Sequence, residues 1–289
     1  MKDDILVVLE EKDPTFSKGQ RRIASYIAES YDKAAFMTAS RLGAIVGVSE
    51  STVVRFAVEL GYDGYPEMQK AMQEMVMNRL TSVQRIEIAN DRIGNQDVLT
   101  KVLQADADKL RQTSEMVSRE DFKSAVNAIL RARRIYVMGV RSAAPLANFA
   151  GYYLNYMFED IRVLTVSGAG EMFENLVNIS SEDVVIAFSF PRYSSATLKA
   201  AQYCRGVGAT VIGITNSNLS PLAQNSDYIL IAKSDMVSLV DSLVAPLSVV
   251  NALLVALASA REKEVQLTLG TLEHVWEEYN IYEKRVDNL

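Results

Sequence analysis

Apolar positions along this chain change their period near residue 130. Before it they recur at intervals of three and four; beyond it they gather into short, nearly unbroken runs. Those runs, Ile135–Met138, Ile161–Val166, Val184–Phe188, Thr210–Ile214 and Tyr228–Ile231, predict five strands buried on both faces. Helical patterns separate most of them. Amphipathic helices predicted over Val98–Met116 and Asp121–Arg131 lead into this zone. Strand and helix in alternation predict a five-stranded parallel sheet in a three-layer α/β/α sandwich, so the chain is α/β overall.

The first zone predicts short helices and tight turns. Ser17 is a good N-cap, and Ile23, Ala24, Ile27 and Ala28 share one face of the helix it opens. Thr38 caps a second, short helix that Gly47 closes, since glycine takes a left-handed C′ conformation cheaply. Val48 plugs the angle, Ser49 caps the next helix, and Val53, Phe56 and Leu60 face inward from it. A short helix, a three-residue turn and a second helix with polar N-terminal residues form a helix-turn-helix. In DNA-binding versions the start of that second helix meets base edges. Ser49, Ser51, Thr52 and Arg55 occupy it here: Thr52 is placed for a thymine methyl or a phosphate, Arg55 for a guanine or the backbone. An ordinary three-helix packing unit is the plainer alternative.

The boundaries read as a helix-turn-helix domain over 1–78, a polar linker over 79–96, and the α/β domain over 97–289. Between Thr15 and Asn78 basic and acidic residues balance, so any DNA-facing charge must be local; Lys18, Arg21, Arg22 and Arg41 are the candidates for phosphate contacts. Net charge is −6 over 289 residues. There is no secretory leader pattern, and the most apolar stretch, Ser242–Ala260, carries Pro246 and Asn251 and predicts a packed core helix, not a membrane span. A cytoplasmic location is the expectation. Cys204 is the single cysteine and His274 the single histidine, which leaves no disulfide framework and no zinc signature, and no cofactor is called for.

Candidate chemistry concentrates after the predicted third strand. Ser189-Phe190-Pro191-Arg192-Tyr193-Ser194-Ser195 lies beyond the strand's carboxyl end, where open α/β sheets bind ligands and helix N-termini offer free N–H groups. Hydroxyls and a guanidinium without an evident acid–base catalyst suit holding a small anion.

The segment VGVSESTVVRFAVELGYDGYPEMQKAM resembles the N-terminal domain of RpiR-type bacterial transcription regulators, with Ser49, Thr52, Val53, Arg55, Leu60, Gly61, Tyr62, Gly64 and Tyr65 on the family pattern. The C-terminal zone resembles the sugar isomerase (SIS) fold these regulators use to sense metabolites. The resemblance implies a homodimer or homotetramer that binds a double-stranded operator and a small anionic effector, a sugar phosphate in the usual case. It also implies two phosphate loops, G-x-G-x-S after the first strand and S-x-S-G-x-T after the third. In the first, Arg141 stands at the second glycine and Ala143 at the serine, with Ser142 one place early. In the second, Ser189 and Ser194 match, while Pro191 and Arg192 replace the inner serine and glycine. Arginine forks bind phosphate and carboxylate bidentately, so Arg141, Ser142, Ser189, Arg192 and Ser194 form the candidate ligand set.

Two other classes stay open at this level. A SIS-fold sugar-phosphate isomerase would need a base near the sugar carbon, for which Glu171, Glu174, Asp241 and His274 are the available groups. A protein whose α/β domain only dimerises leaves the hydroxyl-rich loops unexplained.

Overall fold

The computed structural model describes residues 5, 8–9, 15–79, 97–166, 168–234 and 240–282. The chain divides into two compact units, Met1–Arg92 and Ile93–Leu289. The proposed linker over 79–96 falls outside the described residues except for Arg79, which ends a helix.

The first unit contains α1 (Lys18–Ala34), α2 (Ala39–Val46), α3 (Glu50–Glu59) and α4 (Tyr65–Arg79). Ser17 opens α1 with a full capping box to Gln20, Thr38 caps α2, and Ser49 caps α3. Gly47 ends α2 at φ 70°, in the left-handed region that glycine enters without penalty. Gly43 is required for a different reason. A Cβ there would lie 2.8 Å from the carbonyl oxygen of Val48, so only glycine lets the turn close this tightly on α2. Ile23, Ile27, Leu42, Val53, Phe56 and Met68 are fully buried between the helices. Ala28 is exposed, against expectation. The buried stripe of α1 runs through Ile23, Ala24, Ile27 and Ala34, and Ala28 lies just outside the side that α2, α3 and α4 cover.

The second unit starts with α5 (Val98–Met116) and α6 (Arg119–Arg131), followed by β1 (Ile135–Gly139), α7 (Ala144–Leu154), β2 (Ile161–Leu164) and α8 (Ala169–Asn175). Then come β3 (Val184–Phe188), α9 (Ser195–Gly206), β4 (Thr210–Thr215), β5 (Tyr228–Ile231), α10 (Val244–Ala260) and α11 (Glu262–Glu278). The five strands are parallel in the order β2-β1-β3-β4-β5. Strand alternation divides the core. Ile135, Val137, Ile186 and Ile212 pack toward α6, α7 and α10, whereas Tyr136, Met138, Val185 and Val211 pack toward α8 and α9. Both faces are covered, which is why the strands read as continuous apolar runs.

The stretch expected as a core helix is α10, with Val249, Val250, Leu253 and Leu257 buried. Among the described residues no single helix is long and apolar enough to cross a membrane. Cys204 is buried in α9 against the sheet, and burial pushes its thiol up to about 12. His274 lies on α11, none of whose residues is buried.

Candidate functional sites

In the first unit the exposed start of α3 is held by a small hydroxyl cluster. Ser49 Oγ accepts the Thr52 N–H at 3.3 Å and lies 2.9 Å from Ser51 Oγ and 2.8 Å from Thr52 Oγ1. Arg55 is exposed one turn on, and its Nε donates to the Ser51 carbonyl at 3.3 Å. The N-terminus of α1 lies against this turn. A Cβ on Gly19 would sit 3.5 Å from Val48 Cγ1 and 3.8 Å from Thr52 Cγ2, and one on Gly47 would sit 3.2 Å from Arg22 Nη1. Thr52 is therefore half-buried, with its methyl turned toward α1.

Beside the turn runs an open groove of about 420 Å³ lined by Lys18, Arg21, Arg22, Tyr26 and Ile45 among others. Three of the four basic residues proposed for phosphate contacts thus come together, against the single carboxylate of Glu29 in the same lining, giving the local excess of positive charge that a charge-balanced unit needs. Arg41, in the first turn of α2, is exposed but does not line this groove.

In the second unit the strand order changes direction at β1. The chain steps from β1 to β2 on one side and returns to β3 on the other, so the carboxyl ends of β1 and β3 flank the topological switch point, the usual ligand crevice of such sheets. The residues assigned from sequence to ligand binding lie on the two loops leaving these strands. After β1 the chain turns at once: a Cβ on Gly139 would be 2.7 Å from the Ala143 carbonyl oxygen. Arg141 and Ser142 are exposed on this turn, and Ala143 is buried. After β3, Ser189 is 3% exposed and its N–H donates to the Ile214 carbonyl at 3.3 Å. Ser194 caps α9 and accepts the Thr197 N–H at 3.5 Å, while its own hydroxyl hydrogen remains available as a donor.

Arg141 and Arg192 adopt φ of 54° and 66°. Left-handed backbone is costly for a residue with a Cβ and is found where the surroundings enforce it, often at functional sites. Both arginines occupy the positions at which the SIS loop patterns carry glycine. Each loop thus carries a guanidinium on a left-handed residue.

Several features of the second unit were not legible in advance. Tyr193 OH donates to Asn216 Oδ1 at 2.8 Å and so ties the β3 loop to the loop after β4. That third loop is organised by its own hydroxyls, with Thr215 Oγ1 donating to Ser220 Oγ at 3.0 Å. Thr197, at the start of α9, is fully buried, and its Oγ1 has no hydrogen-bond partner among the described residues. Lys109 is buried at 6% exposure on α5, with Nζ 3.3 Å from Asp106, which also accepts from Ser242 Oγ at 2.6 Å. The Lys233 N–H donates to Thr113 Oγ1 at 2.9 Å, setting this part of α5 beside the carboxyl end of β5. Glu171 and Glu174 are exposed on α8, and His274 is exposed on α11. Among the described residues no group of three or more His, Cys, Asp or Glu side chains is placed to hold a metal ion.

Comparison with known proteins joins the two units. A model of the helix-turn-helix domain of the rpiR family matches residues 4–79, and a model of the SIS domain matches residues 128–256. A helix-turn-helix-type transcriptional regulator of Haemophilus influenzae is 26% identical over 220 residues, 75% of each chain. The sugar isomerase domain of an RpiR transcription factor from Sphaerobacter thermophilus is 30% identical, covering 62% of this chain and 99% of that one, with a TM-score of 0.60. The Vibrio vulnificus NanR protein, solved with ManNAc-6P, shares the fold at 23% identity and a TM-score of 0.59, over 93% of this chain and 97% of that one.

Proposed function

Because the chain belongs to the RpiR family of helix-turn-helix transcriptional regulators, with a SIS domain following its DNA-binding unit, we propose that it binds an operator in a manner set by a small anionic metabolite, a phosphorylated sugar. The start of α3 enters the major groove with Ser51 and Arg55 nearest the bases, while Lys18, Arg21, Arg22 and Arg41 meet phosphates. Ser49 holds the start of α3 in place. The effector sits at the switch point against Ser142, Ser189 and Ser194, with the guanidinium groups of Arg141 and Arg192 supplying charge-assisted bonds. NanR, which shares the fold, was solved with a sugar phosphate, and that supports the class of ligand. A homodimer or homotetramer presents two or more helix-turn-helix units, which a locally basic, otherwise balanced unit needs for firm binding. The protein acts in the cytoplasm, where its DNA lies.

One observation carries this reading: two neighbouring loops at the switch point each bring a serine and an arginine to the carboxyl edge of the sheet, beside the N-terminus of α9. The effector changes DNA affinity only through unequal binding to the two states of the oligomer, a coupling of about 1–3 kcal/mol or roughly five- to 150-fold. Named relatives are regulators, which favours this role over a SIS-fold isomerase.

Fluorescence anisotropy of the full chain on the DNA upstream of its own gene, with and without a pool of sugar phosphates, tests the reading. Salt-sensitive binding that beats random DNA and shifts with the pool is expected. Binding indifferent to sequence and pool, together with turnover of a sugar phosphate, would replace it with the isomerase.

A further inference from the structure

The outward face of α3 carries two aliphatic side chains that the core does not use. Val53, Phe56 and Ala57 are fully buried, but Val54 is 38% exposed and Val58 55% exposed. They stand four residues apart on the side that also carries Ser51 and Arg55, so the exposed stripe runs Ser51, Val54, Arg55, Val58. Nothing local favours valine there. Its branched side chain lowers helix propensity, and an exposed position gives no packing in return.

We propose that Val54 and Val58 read thymine methyl groups in the major groove, and so set part of the operator sequence. This rests on the reading that α3 enters that groove. The C5-methyl of thymine is the one apolar feature that base edges offer there, and small apolar side chains meet it directly. The surroundings match nucleic acid. Arg55 lies between the two valines on the stripe, and Lys18, Arg21 and Arg22 line the groove beside the turn. Four residues of helix advance about 6 Å, close to two base-pair steps, so the pair addresses neighbouring positions. Thr52, the other methyl-bearing residue near the helix start, is engaged elsewhere. Its hydroxyl bonds Ser49 and its methyl faces Gly19, which leaves methyl readout to the valines.

The test begins with a duplex enriched from a randomised pool by the full-length chain. Each thymine is then replaced in turn by uracil, which removes the methyl and nothing else. At one or two positions binding should fall roughly fourfold, the value of one buried methyl. At those positions Val54→Ala or Val58→Ala should bind the thymine and uracil duplexes alike. Alanine is the better helix former at an exposed site, so thermal stability of both variants at or above that of the parent is expected to accompany the loss. If uracil is tolerated at every position, or if both variants keep the full methyl dependence, the inference is overturned while the DNA-binding reading stands. If no sequence is enriched, the DNA-binding reading fails and takes the inference with it.

Discussion

Arg141 and Arg192 share a left-handed backbone, φ 54° and 66°, in the two loops that leave the paired parallel strands β1 and β3. The pairing of Gly139 with Phe188 fixes where each loop departs, and both leave the sheet at its carboxyl edge, either side of the switch point. The strain has a counterpart in chemistry. Against the SIS phosphate pattern that these loops resemble, Ala143 and Pro191 lack hydroxyls, and Pro191 also an N–H, while Arg141, two residues before Ala143, and Arg192, next to Pro191, bring charged donors.

Substitution by glycine separates strain from chemistry. Left-handed backbone costs a residue with a Cβ about 1–2 kcal/mol, partly offset by the freedom glycine gains when unfolded. Arg141→Gly should therefore raise stability by roughly 0.5–1 kcal/mol in denaturant unfolding. The same variant, and Arg192→Gly, should weaken the response to sugar phosphates in the anisotropy assay. A stable variant with full response would remove Arg141 from the ligand site.

Arg55 should act on DNA alone. Arg55→Ala is expected to cost about 1–3 kcal/mol of affinity for the enriched duplex, with effector binding by calorimetry unchanged. Equal affinity for that duplex would take Arg55 out of the interface.

Gly43 sets the geometry of the helix-turn-helix. In Gly43→Ala the new Cβ would meet the Val48 carbonyl oxygen at 2.8 Å, and backbone yields less readily than a side chain. A loss of about 1–3 kcal/mol is expected, with weaker DNA binding as the start of α3 is re-aimed. Far-ultraviolet circular dichroism during unfolding, read beside anisotropy, checks both. Wild-type stability together with wild-type affinity would show that the turn relaxes freely.

Asp183 gives the second unit an acid-sensitive anchor. Burial works to raise its carboxyl, but the Arg133 fork at 2.8 and 3.0 Å and the Ser180 N–H at 2.8 Å prevail and hold it below the usual carboxylate range. A carboxyl held low in the folded state binds protons more readily once unfolded, so its stabilisation is present above the ordinary value of about 3.9 and fades as pH falls below it. Arg133→Ala leaves the buried carboxylate short of its partner. It should move the acid-unfolding midpoint, followed by tyrosine fluorescence, to higher pH; an unmoved midpoint would show that the Ser180 bonds suffice.

Much of the framework was legible because its causes are local. Asp97 accepts the Thr100 N–H at 2.9 Å, and the α5 it opens has the predicted bounds. β3 and β5 also fall where the apolar runs put them, since a strand buried on both faces is apolar throughout. β2 ends early at Leu164 because its partner β1 pairs only as far as Met138 there, leaving Thr165 and Val166 beyond the ladder. The helix caps at Ser17, Thr38 and Ser49 were likewise readable, each being a side chain bonded to backbone three residues on.

What lay beyond reach depends on groups distant in sequence. No propensity places arginine in left-handed backbone; closure of two loops at one sheet edge does. Lysine on a helix is ordinarily solvated, and Lys109 is buried because α5 packs against α10 and beside the end of β5. Thr52 looks free to meet a base until Gly19 brings α1 against it. Periodicity, caps and turn residues therefore settled which elements form and in what order, since each is decided within a few residues. Which side chains stay exposed to meet DNA or ligand was settled by packing between elements, where long-range contacts outweigh local preference.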